Sequence, residues 1–204
     1  MFKYGLELEV FYSKNKNEIE LPPKEYPTDG FPGLIEIRTS GHLLLKDAIS
    51  DIYSKLHLEN IDYNSLLFIS EATFTPEQKR ELRKRAYIKN SWDIQNIYNK
   101  KPRALGNKTI ASFQINISYL KSQEYRNKDG IVFPERFSLL DVPKIVKNLD
   151  NEFKQEILNS KRQPGEYCVK GDRLEYRSLP NTVFPTSISD SKRLMNRIQK
   201  AVEV

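Results

Sequence analysis

The chain has a single cysteine, Cys168, so neither an internal disulfide framework nor a cysteine-cluster zinc site can be built, and Cys168 reads as an ordinary packing residue. No apolar run is long enough to span a bilayer, and the N-terminus carries no signal-like pattern. A membrane partner is therefore not expected, and the cytoplasm is the expected location. Internal repeats and low-complexity tracts are also missing. The two histidines, His42 and His57, read as surface residues.

What is present suits one domain over residues 1–204. The chain is 38% hydrophobic, 11% aromatic and 29% charged, enough apolar material for a real core under a polar surface, as the mean hydropathy of −0.63 indicates. Lys and Arg number 33 against 27 Asp and Glu, a formal charge of +6 with a pI near 9.2. Such a balance favours anionic partners, nucleotide or nucleic acid, without specifying chemistry.

The run from Tyr4 to Tyr12 reads as a strand with Gly5, Glu7, Glu9 and Phe11 on one face and Leu6, Leu8 and Val10 on the other. Two like charges beside a hydrophobic layer need a cation, a guanidinium or water to offset them. Three later segments repeat the design. Leu34 to Arg38 puts Glu36 and Arg38 together, and Ile110 to Tyr119 alternates Gln114 and Asn116 with Phe113, Ile115 and Ile117. A hairpin over Gly165 to Arg177, turning at Lys170-Gly171-Asp172, aligns Arg173, Glu175 and Arg177. A further strand is expected over Ser65 to Phe74.

Helical periodicity is clear from Leu45 to Leu58, from Val142 to Leu158 after an Asp141 cap, and from about Asp190 onward. Thr75-Pro76-Glu77-Gln78 is a capping-box pattern opening a basic helix with Lys79, Arg80, Arg83, Lys84 and Arg85. That run reads as a solvated face, and Tyr87 to Arg103, with Trp92, as a connection or lid. Trp92 would stack on a base or substrate, or pack on the sheet. The expected fold class is α+β: a mainly antiparallel sheet with helices on its apolar face and acids and guanidiniums together on the other. Glu7, Glu9, Glu36 and Glu175 form an oxygen-only set suited to Mg²⁺, and Arg173 and Arg177 suit phosphate oxygens.

Gly5-Leu6-Glu7-Leu8-Glu9, the Asp29 to Arg38 segment with Asp29 seven residues before Glu36, and Arg173-Leu174-Glu175-Tyr176-Arg177-Ser178-Leu179-Pro180 together resemble the ordered motifs of the carboxylate-amine ligases. These are the glutamine synthetase and glutamate-cysteine ligase superfamily, and the chain is most similar in style to its small, often phage-encoded COOH-NH2 ligase branch. The resemblance implies a glutamine synthetase-like catalytic domain: a curved sheet with helices on the convex face and ATP and Mg²⁺ on the concave one. It implies amide-bond formation through an acyl phosphate, with small-molecule or peptide carboxylate and amine substrates. Glu7, Glu9, Asp29, Glu36 and Glu175 would hold metal, and Arg173 and Arg177, with Glu175, would act in catalysis. Arg38, Gln114, Asn116, Arg173 and Arg177 would contact the nucleotide. Where many relatives carry a His-x-His-like pair, this chain has Gln114-Ile115-Asn116, which cannot carry imidazolium charge.

Other readings stand beside this one. Glu7 and Glu9 would also suit a solvated edge-strand face, Gln114 and Asn116 the wet side of a strand, and the Arg173 to Arg177 ladder a surface ion-pair array. At the level of function, the alternatives are a non-catalytic nucleic-acid- or protein-binding module and a phosphotransferase of the same fold. Oligomeric state has no signal in the sequence.

Overall fold

The computed structural model describes residues 2–28, 31–85, 94–101, 108–119, 125–126, 132–133, 141–160, 162–170 and 173–203. Asp29 and Trp92, most of Asn90 to Asn107, and Gly171 and Asp172 of the hairpin turn lie outside the described residues.

In chain order the elements are β1 (Phe2–Tyr12), β2 (Ile35–Arg38), α1 (Leu45–Leu58), β3 (Leu66–Leu67), β4 (Glu71–Ala72), α2 (Pro76–Arg85), β5 (Gln95–Asn96), β6 (Thr109–Ile110), β7 (Ser112–Tyr119), β8 (Tyr125–Arg126), β9 (Val132–Phe133), α3 (Val142–Glu152), α4 (Lys154–Asn159), β10 (Glu166–Lys170), β11 (Arg173–Pro180) and α5 (Ile188–Val202). Among the described residues, seven strands form one sheet in the order β2-β1-β7-β11-β10-β5, with β3 joined to the end of β1. Every pairing in it is antiparallel. The strands β4 and β6 form one separate ladder and β8 and β9 another. The expected α+β class with a mainly antiparallel sheet is observed.

Alternation along β1 sends Leu6, Leu8 and Val10 into a core shared with Ile35 and Ile37 of β2, Phe113, Ile115 and Ile117 of β7, and Leu174 and Tyr176 of β11. The helices α1, α3, α4 and α5 contribute their buried stripes to the same core, so they cover this face. Burying each Leu or Ile here contributes about 1.5–3 kcal/mol. A smaller apolar cluster, with Phe11, Leu34, Phe74, Leu82 and Ala111, gathers Leu82 of α2 with Phe11, which alternation puts on the opposite face of β1.

Local chemistry sets the helix starts. Asp141 accepts from the Lys144 amide at 3.1 Å, and the Thr75–Gln78 box closes reciprocally at 2.8 and 3.2 Å. Several expected boundaries differ; Ile110, for one, belongs to β6, and the strand expected from it begins at Ser112. The helix anticipated from about Asp190 begins at Ile188, capped by Ser187, whose Oγ accepts from the Asp190 amide. The single helix expected over Val142 to Leu158 breaks at Phe153 into α3 and α4, and Arg197 Nη2 donates to the Glu152 carbonyl, an acceptor that a continuous helix would use for its next turn. Ser65 to Phe74 is two short strands rather than one, because β3 pairs with β1 whereas β4 pairs with β6. The connection anticipated over Tyr87 to Arg103 contains an edge strand, β5.

Candidate functional site

Antiparallel registry stacks the polar residues in rows across the face opposite the helices. One row runs Glu36, Glu9; the next Arg38, Glu7, Gln114; the third Gly5, Asn116, Glu175, Cys168; the fourth Lys3, Ser118, Arg173, Lys170. In β11 the register slips between Tyr176 and Leu179, so that Arg177 and Ser178 together span one step of β7. Such a bulge re-aims the strand's side chains. Here Arg177 Nη1 donates to Gln114 Oε1 at 3.0 Å and to Glu175 Oε1, while Ser178 Oγ accepts from the Glu166 amide at 3.0 Å.

The middle of the face is buried. Glu7, Gln114, Asn116 and Glu175 are all at most 5% exposed, and β1 lies inside the sheet between β2 and β7. The edge-strand reading for Glu7 and Glu9 and the wet-side reading for Gln114 and Asn116 are thereby excluded, as is a surface ion-pair array around Glu175. Burial at this depth requires partners. Arg38 Nε lies 2.6 Å from Glu36 Oε1 and 3.5 Å from Glu7 Oε2, and Asn116 Nδ2 donates to Glu7 Oε1 at 3.0 Å. Glu9 Oε2 accepts from the Ser112 amide at 3.0 Å and its hydroxyl at 2.6 Å, and Gln114 Nε2 lies 3.4 Å from Glu9 Oε1. Glu175, fully buried, is held between Arg177 and Lys170.

These pairings set the electrostatics. Burial pushes the Glu175 carboxyl up, but Lys170 and Arg177 outweigh it and hold it below the usual carboxylate range. Burial pulls Arg177 down, and Glu175 and Glu9 more than restore it. Arg162 has no such rescue: enclosed beside Arg177, it is held below the ordinary guanidinium value by burial, and its Nε has no hydrogen-bond partner. Its Nη2 donates to the Arg177 carbonyl and lies 3.9 Å from Glu166 Oε2.

Glu7, Glu9, Glu36, Arg38, Gln114, Asn116, Glu175 and Arg177 are therefore brought into one contiguous polar face, and Asp29 lies outside the described residues. Comparison with known protein families, with curated proteins and with solved structures finds no match. Geometry alone must carry the functional reading.

That geometry departs from expectation in two ways. First, the four glutamates share the face without converging: among the described residues no three His, Cys, Asp or Glu side chains gather as a metal-holding group. Protein cations stand between them, Arg38 between Glu7 and Glu36, and Lys170 and Arg177 at Glu175. Second, Arg173 stands apart from Arg177, in the outermost row, and its side chain makes no hydrogen bond or ion pair with a described residue. The guanidinium beside Arg177 is Arg162, which sequence reasoning missed along with Ser112 and Lys170. Arg162 precedes its strand and belongs to no motif, so no spacing could have found it. Lys170 was legible as the same-face neighbour of Cys168. A cavity of about 410 Å³ at the β2 edge, lined in part by Glu36, Arg38, Lys55 and Leu58, opens beside the network.

Proposed function

We propose that this chain is an ATP- and Mg²⁺-dependent ligase joining a carboxylate to an amine through an acyl phosphate, on a glutamine synthetase-like domain. The observation that carries the reading is the meeting, on one polar sheet face, of strand motifs distant in the chain, Glu7 and Glu9, Glu36 and Arg38, and Glu175 and Arg177, with acids and guanidiniums paired there.

The residues fit a hard cation in donor chemistry. Glu7, Glu9, Glu36 and Glu175 offer oxygen alone, and Asn116 Oδ1 is buried without a hydrogen-bond partner. Bound there, Mg²⁺ would supply charge neutralisation at phosphate oxygens. Arg38, whose side chain is 43% exposed, borders the adjacent cavity, and its movement into that cavity would remove one cation from Glu7 and Glu36. Arg177 and Arg162 would orient the phosphate, with Lys170 and Arg173 beyond them, and stabilise the charge that develops as the carboxylate attacks the γ-phosphate. Gln114 and Asn116 would hold oxygens by hydrogen bonds alone. The buried face would exclude water from the acyl phosphate until the amine displaces phosphate.

One observation favours a second reading, a non-catalytic binding module: the acids are already neutralised by the protein's own cations. The basic helix α2 gives that module little support, since Arg80 pairs with Glu77, and Lys84 and Arg85 with Glu81.

The test is an ADP-release screen with Mg²⁺, ATP and a panel of amino acids, peptides and polyamines, with mass spectrometry of products and Glu36→Gln and Arg173→Ala as variants. An amide product lost in both variants supports the ligase. A stable phosphorylated product indicates a phosphotransferase instead. No ADP from any substrate, with no Mn²⁺ bound by titration, overturns the proposal in favour of the binding module.

A further inference from the structure

On the helix side of the sheet, Asp150 of α3 is a buried carboxylate, 5% exposed, that makes no ion pair with a described residue. Its Oδ1 accepts from the Tyr176 hydroxyl at 2.7 Å and the Gly165 amide at 3.1 Å. Its Oδ2 is buried and has no hydrogen-bond partner. The Tyr98 phenol, pushed up to about 12 by burial and by Asp150, lies beside this carboxylate, and Lys100 adds an attraction to it. Leaving a charged acceptor unsatisfied costs more than one well-made hydrogen bond returns, so such an atom is a strong anchor for a donor.

Asp150 borders a cavity of about 290 Å³, the size of a small metabolite's site. Ile157, Leu158 and Pro164 give it an apolar wall, and Lys100 and Lys154 are its cations. The turn behind it requires glycine: Gly165 adopts φ +84°, and a Cβ there would lie 2.6 Å from Tyr98 Cδ2. Asn96 Nδ2 ties the turn down through the Pro164 carbonyl at 2.9 Å.

We propose that this cavity binds a small apolar α-amino acid: the ammonium against the Asp150 carboxylate, the side chain on Ile157 and Leu158, and the carboxylate on Lys100 and Lys154. A simple amine would meet two lysines, and a simple carboxylate would meet Asp150. Only a zwitterion satisfies both. The site lies across the sheet from the proposed ligase face and does not depend on that reading.

Calorimetric titration of the full chain with leucine tests this directly, alongside 4-methylpentanoate, which lacks the amine, and 3-methylbutylamine, which lacks the carboxylate. Leucine should bind saturably, about tenfold or more tighter than either analogue. Lys154→Glu and Leu158→Trp, at exposed positions that leave the fold intact, should each weaken leucine about tenfold, while Arg173→Ala on the other face should bind it as the parent does. Absence of saturable binding by leucine, isoleucine, valine and phenylalanine overturns the proposal. So does equal binding of the amine-free acid, or leucine binding that is lost in Arg173→Ala and kept in Leu158→Trp. Because the readout is binding without ATP, its failure leaves the ligase proposal standing, and the converse holds.

Discussion

Glu175 and Asp150 are both buried carboxylates on or against β11, one on each face of the sheet, and their surroundings oppose each other. Glu175 sits between Lys170 and Arg177 and is held below the usual range; Asp150 has hydrogen bonds but no ion pair with a described residue, and burial pushes it above its ordinary value despite Tyr176, Gly165, Tyr98 and Lys100. A paired buried charge holds the fold together, whereas an unpaired one stores an unsatisfied preference that a ligand can meet.

The sharpest way to break this contrast is to neutralise each acid. Glu175→Gln strands two buried cations and should lower unfolding free energy by about 3–5 kcal/mol in urea denaturation. A loss under about 1 kcal/mol would mean that the pairs are not formed in solution. Gly165→Ala comes next, at about 1–3 kcal/mol, from a left-handed backbone and the clash with Tyr98, and it should also close the Asp150 cavity to leucine. Asp150→Asn keeps the acceptor used by Tyr176 and Gly165 while removing the desolvated charge. It should change stability at neutral pH by no more than about 1 kcal/mol.

The smallest expected effect is in pH dependence, and the two acids should differ in sign. Glu175, with its pKa depressed on folding, contributes stability above its ordinary value of 4.5 that is lost as pH falls through the folded value. Asp150, with its pKa raised, costs stability as pH rises from 3.8 through its folded value. Stability of Asp150→Asn relative to the parent should therefore improve between pH 3 and pH 7 in urea titrations at a series of pH values, and that of Glu175→Gln should worsen.

Much of the fold was legible because alternation and periodicity report burial directly. Leu6, Leu8 and Val10 pointed to the core face of β1, and the stripe of α1 ended where periodicity ended. The facing of Glu7, Glu9, Glu36, Arg38, Gln114, Asn116, Glu175 and Arg177 was legible for the same reason, a period of two. The break at Phe153 was not, since the competing donor, Arg197, comes from α5, far along the chain.

The sequence by itself determined which side chains share each strand face and which stripe of α1, α3 and α5 is apolar, because both follow from local backbone geometry. Only the tertiary structure decided that the middle of the polar face is buried, that Arg162 rather than Arg173 joins Arg177, and that Arg38 and Lys170 stand among the glutamates. It also decided that Asp150, one polar position on an amphipathic helix, meets a glycine turn and a tyrosine of β11 with one oxygen left over. Registry, the bulge in β11 and the meeting of distant segments set these pairings, and none of them is encoded in the spacing of neighbouring residues.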